Sequence, residues 1–252
     1  ERDLSKLRDE FGVSITYDRC NDGYFIDEES SHNSELLYKF LEIANTADLM
    51  NAKNSDKKHY IEFQKQNLQK NTHFLGPILE AIDAKLKIEL VYQAFYEDEE
   101  KTHLVHPYLI KEYDQRWYVY GWSEYSDYFK SYALDRTLSL SKTNSSFKAK
   151  KIEREEIFSY IIGISLWPNP PEKVVLRFSA EQAKYIDTLP LHHSQTEIDR
   201  KAETVTFEYL LIPNFELEQK ILMHGENVEV LEPKSLRDKI KNRLVATINN
   251  YN

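Results

Sequence analysis

Cysteine is almost missing from this chain. Cys20 is the single one among 252 residues, so no disulfide can form within it, and a reducing cytoplasm is the simple reading. Glycine is scarce too, at six residues. No Gly-rich phosphate loop, Gly-x-Ser-x-Gly elbow or His-Glu-x-x-His helix occurs, which leaves little support for catalysis. No apolar run approaches the roughly 20 residues of a membrane helix, and the charged N-terminal stretch is not a signal peptide. Cations are outnumbered: 33 Lys and Arg stand against 42 Asp and Glu, a net charge of −9. That balance argues against a generally sticky nucleic-acid binder but permits one local basic patch. Metal-ligand spacing is absent as well. His192–His193 are adjacent in a loop and read as surface residues, and the pair Glu99–Glu100 lies in an acidic turn. Neither a metal nor a cofactor is expected.

What the chain does have is aromatic residues, 13% of the total with 17 tyrosines, in a composition that is 41% hydrophobic and 30% charged. Such a composition builds a globular core, and a prior of about 150 residues per domain suggests two domains. The densest stretch is RWYVYGWSEYSDYFKSYALDR, from Arg116 to Arg136. Strands favour these residues. At period two, Lys130, Tyr132 and Arg136 fall on one face of a strand, and Tyr118 and Tyr120 share a face of the strand before it. Tyr92 and Tyr108 lie in neighbouring strands and can join the same patch. His106 can supply a hydrogen bond. Trp117 reads first as a core residue, with stacking on a ligand as the alternative. For Arg136 the alternative to an anion contact is a local ion pair with Asp135. Cations beside flat rings suit an anion that carries rings, such as a nucleotide or oligonucleotide, rather than bond-breaking chemistry.

Along the chain, ERDLSKLRDEFG has helical spacing and ends on Gly12. SITYDRC and GYFIDE then read as two strands around the turn Asn21–Asp22–Gly23. A helix running into a hairpin is the back half of a winged helix-turn-helix, so the expectation is a chain whose upstream part is missing. Arg2 and Lys6 share a helix face and, with Arg19 in the wing, are candidate phosphate contacts; an ordinary solvated face is the alternative. Residues 35–50 read as a helix, 51–71 as a loose connection, and 74–84 as a short helix with Gly76–Pro77 near its start. From Lys85 five strands follow one another, which suggests a small twisted sheet or barrel. Residues 152–164 are expected to be helical, followed by a stiff Pro-rich linker. The remainder reads β-α-β-β-α-β, the ferredoxin-like plan, closed by a helix that Ser235 caps and that ends near Tyr251.

Taken together, these pieces resemble the WYL-domain transcriptional regulators of bacteria. ERDLSKLRDEFGVSITYDRCNDGYF is similar to the end of that family's recognition helix and its wing. HPYLIKEYDQRWYVYGW is similar to the naming segment, with Trp117–Tyr118–Val119 where Trp-Tyr-Leu is usual. KSYALDR is similar to the closing strand, with Lys130 where arginine is common; lysine keeps the charge but loses the bidentate fork. The stretches VVLRFS, PLHHSQ and ILMHGENVEVLEP are similar to the C-terminal extension. The resemblance implies an α+β fold: part of a winged helix in 1–30, a helical linker in 31–84, a small Sm-like or SH3-like β-barrel in 85–145, a connector in 146–171 and a ferredoxin-like unit in 172–252. With no catalytic motif in the chain, no enzyme activity is expected. The resemblance implies a homodimer that binds DNA through its N-terminal head and is tuned by a nucleotide or oligonucleotide effector on the barrel. An adapter that regulates a partner enzyme without touching DNA is the competing reading, and a hydrolase acting on nucleic acid is a distant third.

Overall fold

The computed structural model describes residues 13–19, 22–27, 71–150, 158–166 and 169–251. The expected first helix with Arg2 and Lys6, the helix over 35–50 and the connection after it lie outside the described residues. Two compact units divide the chain, Glu1–Gln66 and Asn67–Asn252.

In the first unit, β1 (Ser14–Asp18) and β2 (Gly23–Asp27) pair antiparallel with Ser14 opposite Asp27 and Asp18 opposite Gly23. The turn closes on Asp22, at φ 48°, a left-handed conformation that a short polar side chain tolerates. The rings of Tyr17 and Tyr24 meet edge to face at 5.0 Å. Arg19 is exposed in the turn.

The second unit opens with a 3-10 turn, Thr72–Phe74, that runs into α1 (Leu75–Asp83). Five strands follow: β3 (Leu86–Tyr92), β4 (Lys101–Tyr113), β5 (Arg116–Ser123), β6 (Tyr128–Ala133) and β7 (Thr137–Ser146). All neighbours are antiparallel, in the order β6-β5-β4-β3-β7. Asp114 and Gln115 join β4 to β5 with φ of 48° and 60°, the two positive values a tight primed hairpin turn requires. Alternation along the strands places Ile88, Leu90, Val105, Val119 and Tyr132 on one face, where Ile78 and Ala81 of α1 complete a core. Tyr108, Tyr120 and Phe147 form a second aromatic cluster. A closed barrel is not what forms. Among the described residues no ladder joins β6 to β7, so the sheet is open and its two faces have different jobs.

After the connector come β8 (Glu172–Ser179), α2 (Ala180–Thr188), β9 (Thr196–Arg200), β10 (Thr204–Leu211), α3 (Phe215–Met223), β11 (Val228–Glu232) and α4 (Lys234–Asn249). The sheet is antiparallel in the order β11-β8-β10-β9. Odd-even patterning drives it: Val174, Leu176 and Phe178 of β8 and Val205, Phe207, Tyr209 and Leu211 of β10 enter one core with α2, α3 and α4. The Ser179 hydroxyl accepts from the Gln182 amide to cap α2, and the Asn214 side chain caps α3 by accepting from the Leu217 amide. The other sheet face carries exposed ion pairs, Arg177 with Glu229 and Lys173 with Glu232, each worth roughly 0–1 kcal/mol.

Three local expectations are corrected. Pro233, not Ser235, stands at the N-cap of α4. Residues 158–164 form turns and bends rather than a helix, because side chains of α3 hold this stretch from outside, as described below; 151–157 lie outside the described residues. His192 is not a plain surface residue. Its Nδ1 accepts from the Ser194 amide at 3.2 Å, so that nitrogen cannot carry a proton without losing the bond.

Burial first, then the neighbouring His193, lowers the His192 pKa to about 4. Burial also lowers His103 and His224. The folded chain therefore binds fewer protons at these sites than the unfolded one, whose histidines titrate near pH 6.5. Stability is fully present above pH 6.5 and is lost as pH falls toward 4. For His192 alone the loss is on the order of 1–2 kcal/mol after discounting for its partial solvation. Thermal melts from pH 7 to 4.5 are expected to fall, and His192→Gln flattens the slope. An unchanged slope in that variant rules His192 out as the source.

Candidate functional site

The register of β5 and β6 divides the aromatic run in two. Val119 pairs with Tyr132 and Gly121 with Lys130, whereas Tyr118 pairs with Ala133 and Tyr120 with Ser131. Tyr132 and Lys130 thus share a face with Val119, and Tyr120 belongs to the opposite one. On β4 and β3 the first face continues through His103, opposite Leu90, and Lys101, opposite Tyr92.

On that face lies a pocket of about 250 Å³ lined by Tyr92, Glu97, Lys101, His103, Tyr125, Lys130, Tyr132 and Arg136, with Ser131 of β6 also bordering it. Tyr92 and Tyr132 meet edge to face at 5.3 Å, and the His103 ring lies 5.1 Å from Tyr132 and 5.2 Å from Tyr125. Arg136 comes from the 3-10 turn Leu134–Arg136 after β6, not from the strand itself. The turn swings its guanidinium to 5.3 Å from the Tyr92 ring and 4.8 Å from the Phe95 ring, within cation–π range. A second hollow of about 410 Å³ adjoins across Arg136, lined by Gln93, Phe95, Asp98 and Leu138 among others.

Electrostatics at the pocket are one-sided. Lys101, Lys130 and Arg136 line it against a single carboxylate, Glu97, which Lys101 already holds at 2.7 Å. Among the described residues neither Lys130 nor Arg136 has a carboxylate within salt-bridge distance. Asp135 turns instead to Arg116, at 3.7 Å, so the local ion pair considered for Arg136 does not form. The Arg136 Nε is buried with no acceptor, and a buried charged donor without a partner is costly unless something fills its place. Burial, then the Lys130 charge, holds the His103 imidazole below its usual pKa against the pull of Glu97, so it is neutral at pH 7. Burial raises the Tyr132 phenol to about 12; it can donate a hydrogen bond but is not an acid at neutral pH.

Five of the nine expected ligand contacts are elsewhere. Tyr120, 5% exposed, stacks on Phe129 at 5.2 Å in the opposite cluster. Tyr108, also 5% exposed, accepts a hydrogen bond from the Lys150 amide at 2.8 Å. His106 lies 2.7 Å from a Glu124 oxygen and stacks on Phe147 at 4.7 Å. Trp117 packs against the core beneath α1. Tyr118 is buried too, with burial raising its pKa first and Arg116 and Arg136 opposing that shift through their charge. For Tyr118, Tyr120, Tyr108 and His106 a one-residue step in the strand explains the split, since it moves a side chain to the other face; Trp117 shares the face of Val119 but packs into the core there. Tyr92, Lys130, Tyr132 and Arg136 do converge. Sequence reasoning missed Lys101, His103 and Tyr125. Lys101 and His103 alternate with Val105 along β4, and that alternation was the available signal.

No group of His, Cys, Asp and Glu among the described residues could hold a metal ion, and no described helix is long and apolar enough to cross a membrane. Arg2 and Lys6 fall outside the described residues, so of the expected DNA contacts only Arg19 is seen.

Residues 73–141 match the WYL domain, and residues 170–248 match the WCX domain. The chain therefore carries a WYL domain, which contains the pocket, followed by a WCX domain. No curated protein matches the sequence significantly. Among solved structures it is similar to proteasome accessory factor B/C (PafBC) of Arthrobacter aurescens, with 18% identity over 97% of this chain and 39% of that one and a TM-score of 0.35. It is also similar to a CRISPR Cas-related protein, with 14% identity over 69% of this chain and 51% of that one and a TM-score of 0.44. The chain thus spans about two-fifths and about half of the lengths of these two proteins.

Proposed function

We propose that this chain is the ligand-sensing portion of a DNA-binding transcription regulator, and that the WYL-domain pocket binds a nucleotide or a short single-stranded oligonucleotide. The observation that carries the reading is the Arg136 guanidinium, with Nε buried and unpaired between two rings, beside Lys130. The guanidinium attracts an anionic oxygen, and a base stacks on the exposed Tyr125 ring, beside the buried Tyr92 and Tyr132. At about 250 Å³ the pocket suits one phosphate-and-ring unit; the adjoining hollow, lined by Glu97, Asp98 and Asp135, is too acidic to extend it for an anionic strand. Pocket chemistry of this kind needs no proton transfer, so no catalytic role is assigned. In this reading the five-strand sheet is an opened Sm-like barrel, the WCX domain follows the ferredoxin-like plan, and the hairpin Ser14–Asp27 is the wing of a DNA-binding head. The regulator acts as a homodimer.

Titration of the protein with fluorescent thymidine oligonucleotides and with cyclic mononucleotides tests the pocket. Binding is expected, with a salt dependence of about two phosphate contacts, a log–log slope near −1.4 for single strands. No binding by any of these probes overturns the pocket assignment. A gel shift with the full-length protein on its own promoter tests the regulator role. A ligand-sensitive, sequence-specific shift supports it, and only weak sequence-independent binding favours the adapter reading.

A further inference from the structure

One strand of the sensor sheet touches both the pocket and the connector that leads to the WCX domain. β6 is the outermost described strand of its sheet, paired only with β5. Lys130 and Tyr132 point into the pocket. Ser131, between them, contacts the other side, where its hydroxyl donates to the Ile164 carbonyl at 3.1 Å, as strand alternation demands. An edge strand is held by one ladder instead of two, which makes it the easiest part of a sheet to displace.

Ile164 belongs to a connector that is fastened mainly to the WCX domain. The Ile212 amide donates to Tyr160, and Asn214 Nδ2 donates to the Ile162 and Ser165 carbonyls at 2.8 and 3.1 Å. Glu216 Oε1 accepts from the Ile164 amide, the Ser165 amide and the Ser165 hydroxyl at 3.4, 3.2 and 2.8 Å. Ile162 is part of the WCX core itself. Toward the sensor sheet the connector makes the Ser131 bond and sets two side chains, Phe158 and Leu166, against the Tyr108–Tyr120 cluster. Lys111 of β4 lies over the Phe158 ring at 3.9 Å. A groove of about 270 Å³ separates β6 from Ile164–Leu166, leaving space for the two to shift. Within the described stretch 158–166, six hydrogen bonds run to Ile212, Asn214 and Glu216 and one to Ser131, which makes this part of the connector a lever of the WCX domain that rests on β6.

We infer that β6 transmits the state of the pocket to the WCX domain: a ligand that engages Lys130 and Arg136 moves Ser131 against Ile164, and the Glu216 clasp carries that movement into the start of α3. This rests on the pocket reading above. Both coupled contacts sit on one peptide unit and its neighbour, Ile164 O toward the sheet and Ile164 N toward Glu216, so neither can shift without straining the other. The arrangement supplies what coupling requires, an element whose position both ends bias.

Hydrogen–deuterium exchange on the full chain, with and without saturating single-stranded thymidine tetranucleotide, tests this. The tetranucleotide is expected to change exchange at 161–166 and in the first turn of α3 by about threefold or more. In Ser131→Ala and in Glu216→Ala, which removes the acceptor of the clasp, that ligand-induced change disappears, although the tetranucleotide still alters exchange in β6. Glu216→Ala also binds the tetranucleotide within about twofold of the parent affinity. If the tetranucleotide binds and the connector does not respond, or if the response survives both substitutions, the relay is wrong and the pocket stands. If no nucleotide probe binds, both fall. Ser131→Ala removes a single half-exposed hydroxyl, so it keeps the test decisive should Glu216→Ala fold poorly.

Discussion

Replacing Arg136 and Lys130 together by alanine lowers the affinity of the pocket for a thymidine oligonucleotide by about 100-fold or more while the chain stays folded. Each charge-assisted hydrogen bond to an anionic oxygen contributes roughly 1.5–3 kcal/mol, and two such losses at neighbouring contacts reach that range even if they are not additive. The salt dependence should fall with them, by about 0.7 in slope for each phosphate contact removed. Folding survives because neither cation serves the fold through a described carboxylate, and removing Arg136 also removes a buried donor with no acceptor. Arg116→Ala is the control. It breaks the pair with Asp135 at 3.7 Å, outside the pocket, and should leave affinity within about twofold, as exposed ion pairs are weak. Isothermal titration at two salt concentrations separates the outcomes. An Arg136/Lys130 variant that binds like the parent, with the same slope, removes the site.

The sequence carried the strands well and the sides of the sheet less well. Runs such as LKIELVY and RWYVYGWS state their period-two pattern, and Asp114–Gln115 marks its own turn, because alternation and positive φ are local properties. Which strand face meets which is not local. Tyr118 and Tyr120 look equivalent to Tyr132 in the aromatic run, yet pairing of Tyr120 with Ser131 rather than Tyr132 places Tyr120 and Tyr132 on opposite faces. The open sheet, in place of a closed barrel, is likewise a matter of whether the two outer strands meet. His103 was missed for a related reason: it becomes a site residue only because β4 pairs it with Leu90 beside the Tyr92–Lys101 pair. The connector misled differently. Its apolar residues suggest a helix, but Asn214 and Glu216, some fifty residues away in sequence, supply its hydrogen bonds. The order of the WCX elements was legible, since most strands and helices there alternate core and surface positions over a full element; β9, exposed along its whole length, is the exception.

Gly163→Ala should destabilise the second unit by about 2–4 kcal/mol, and Gly225→Ala by only about 1 kcal/mol, although both glycines have a left-handed backbone. Gly163 is at φ 81° and Gly225 at φ 55°, so each substitution carries a comparable backbone cost. The surroundings differ. A Cβ on Gly163 would lie 2.5 Å from Glu216 Cγ and 2.9 Å from its Cβ, whereas at Gly225 nothing lies within 4 Å. Glu216 cannot simply give way. It is 5% exposed, and its Oε1 accepts three hydrogen bonds from Ile164 and Ser165, so moving it leaves buried donors unpaired. The difference between the two variants therefore isolates the clasp from the backbone strain they share. Chemical denaturation, read as a midpoint change at constant slope, gives that difference directly. Equal losses at the two positions would mean that Glu216 repacks freely and that the connector is not clamped to α3.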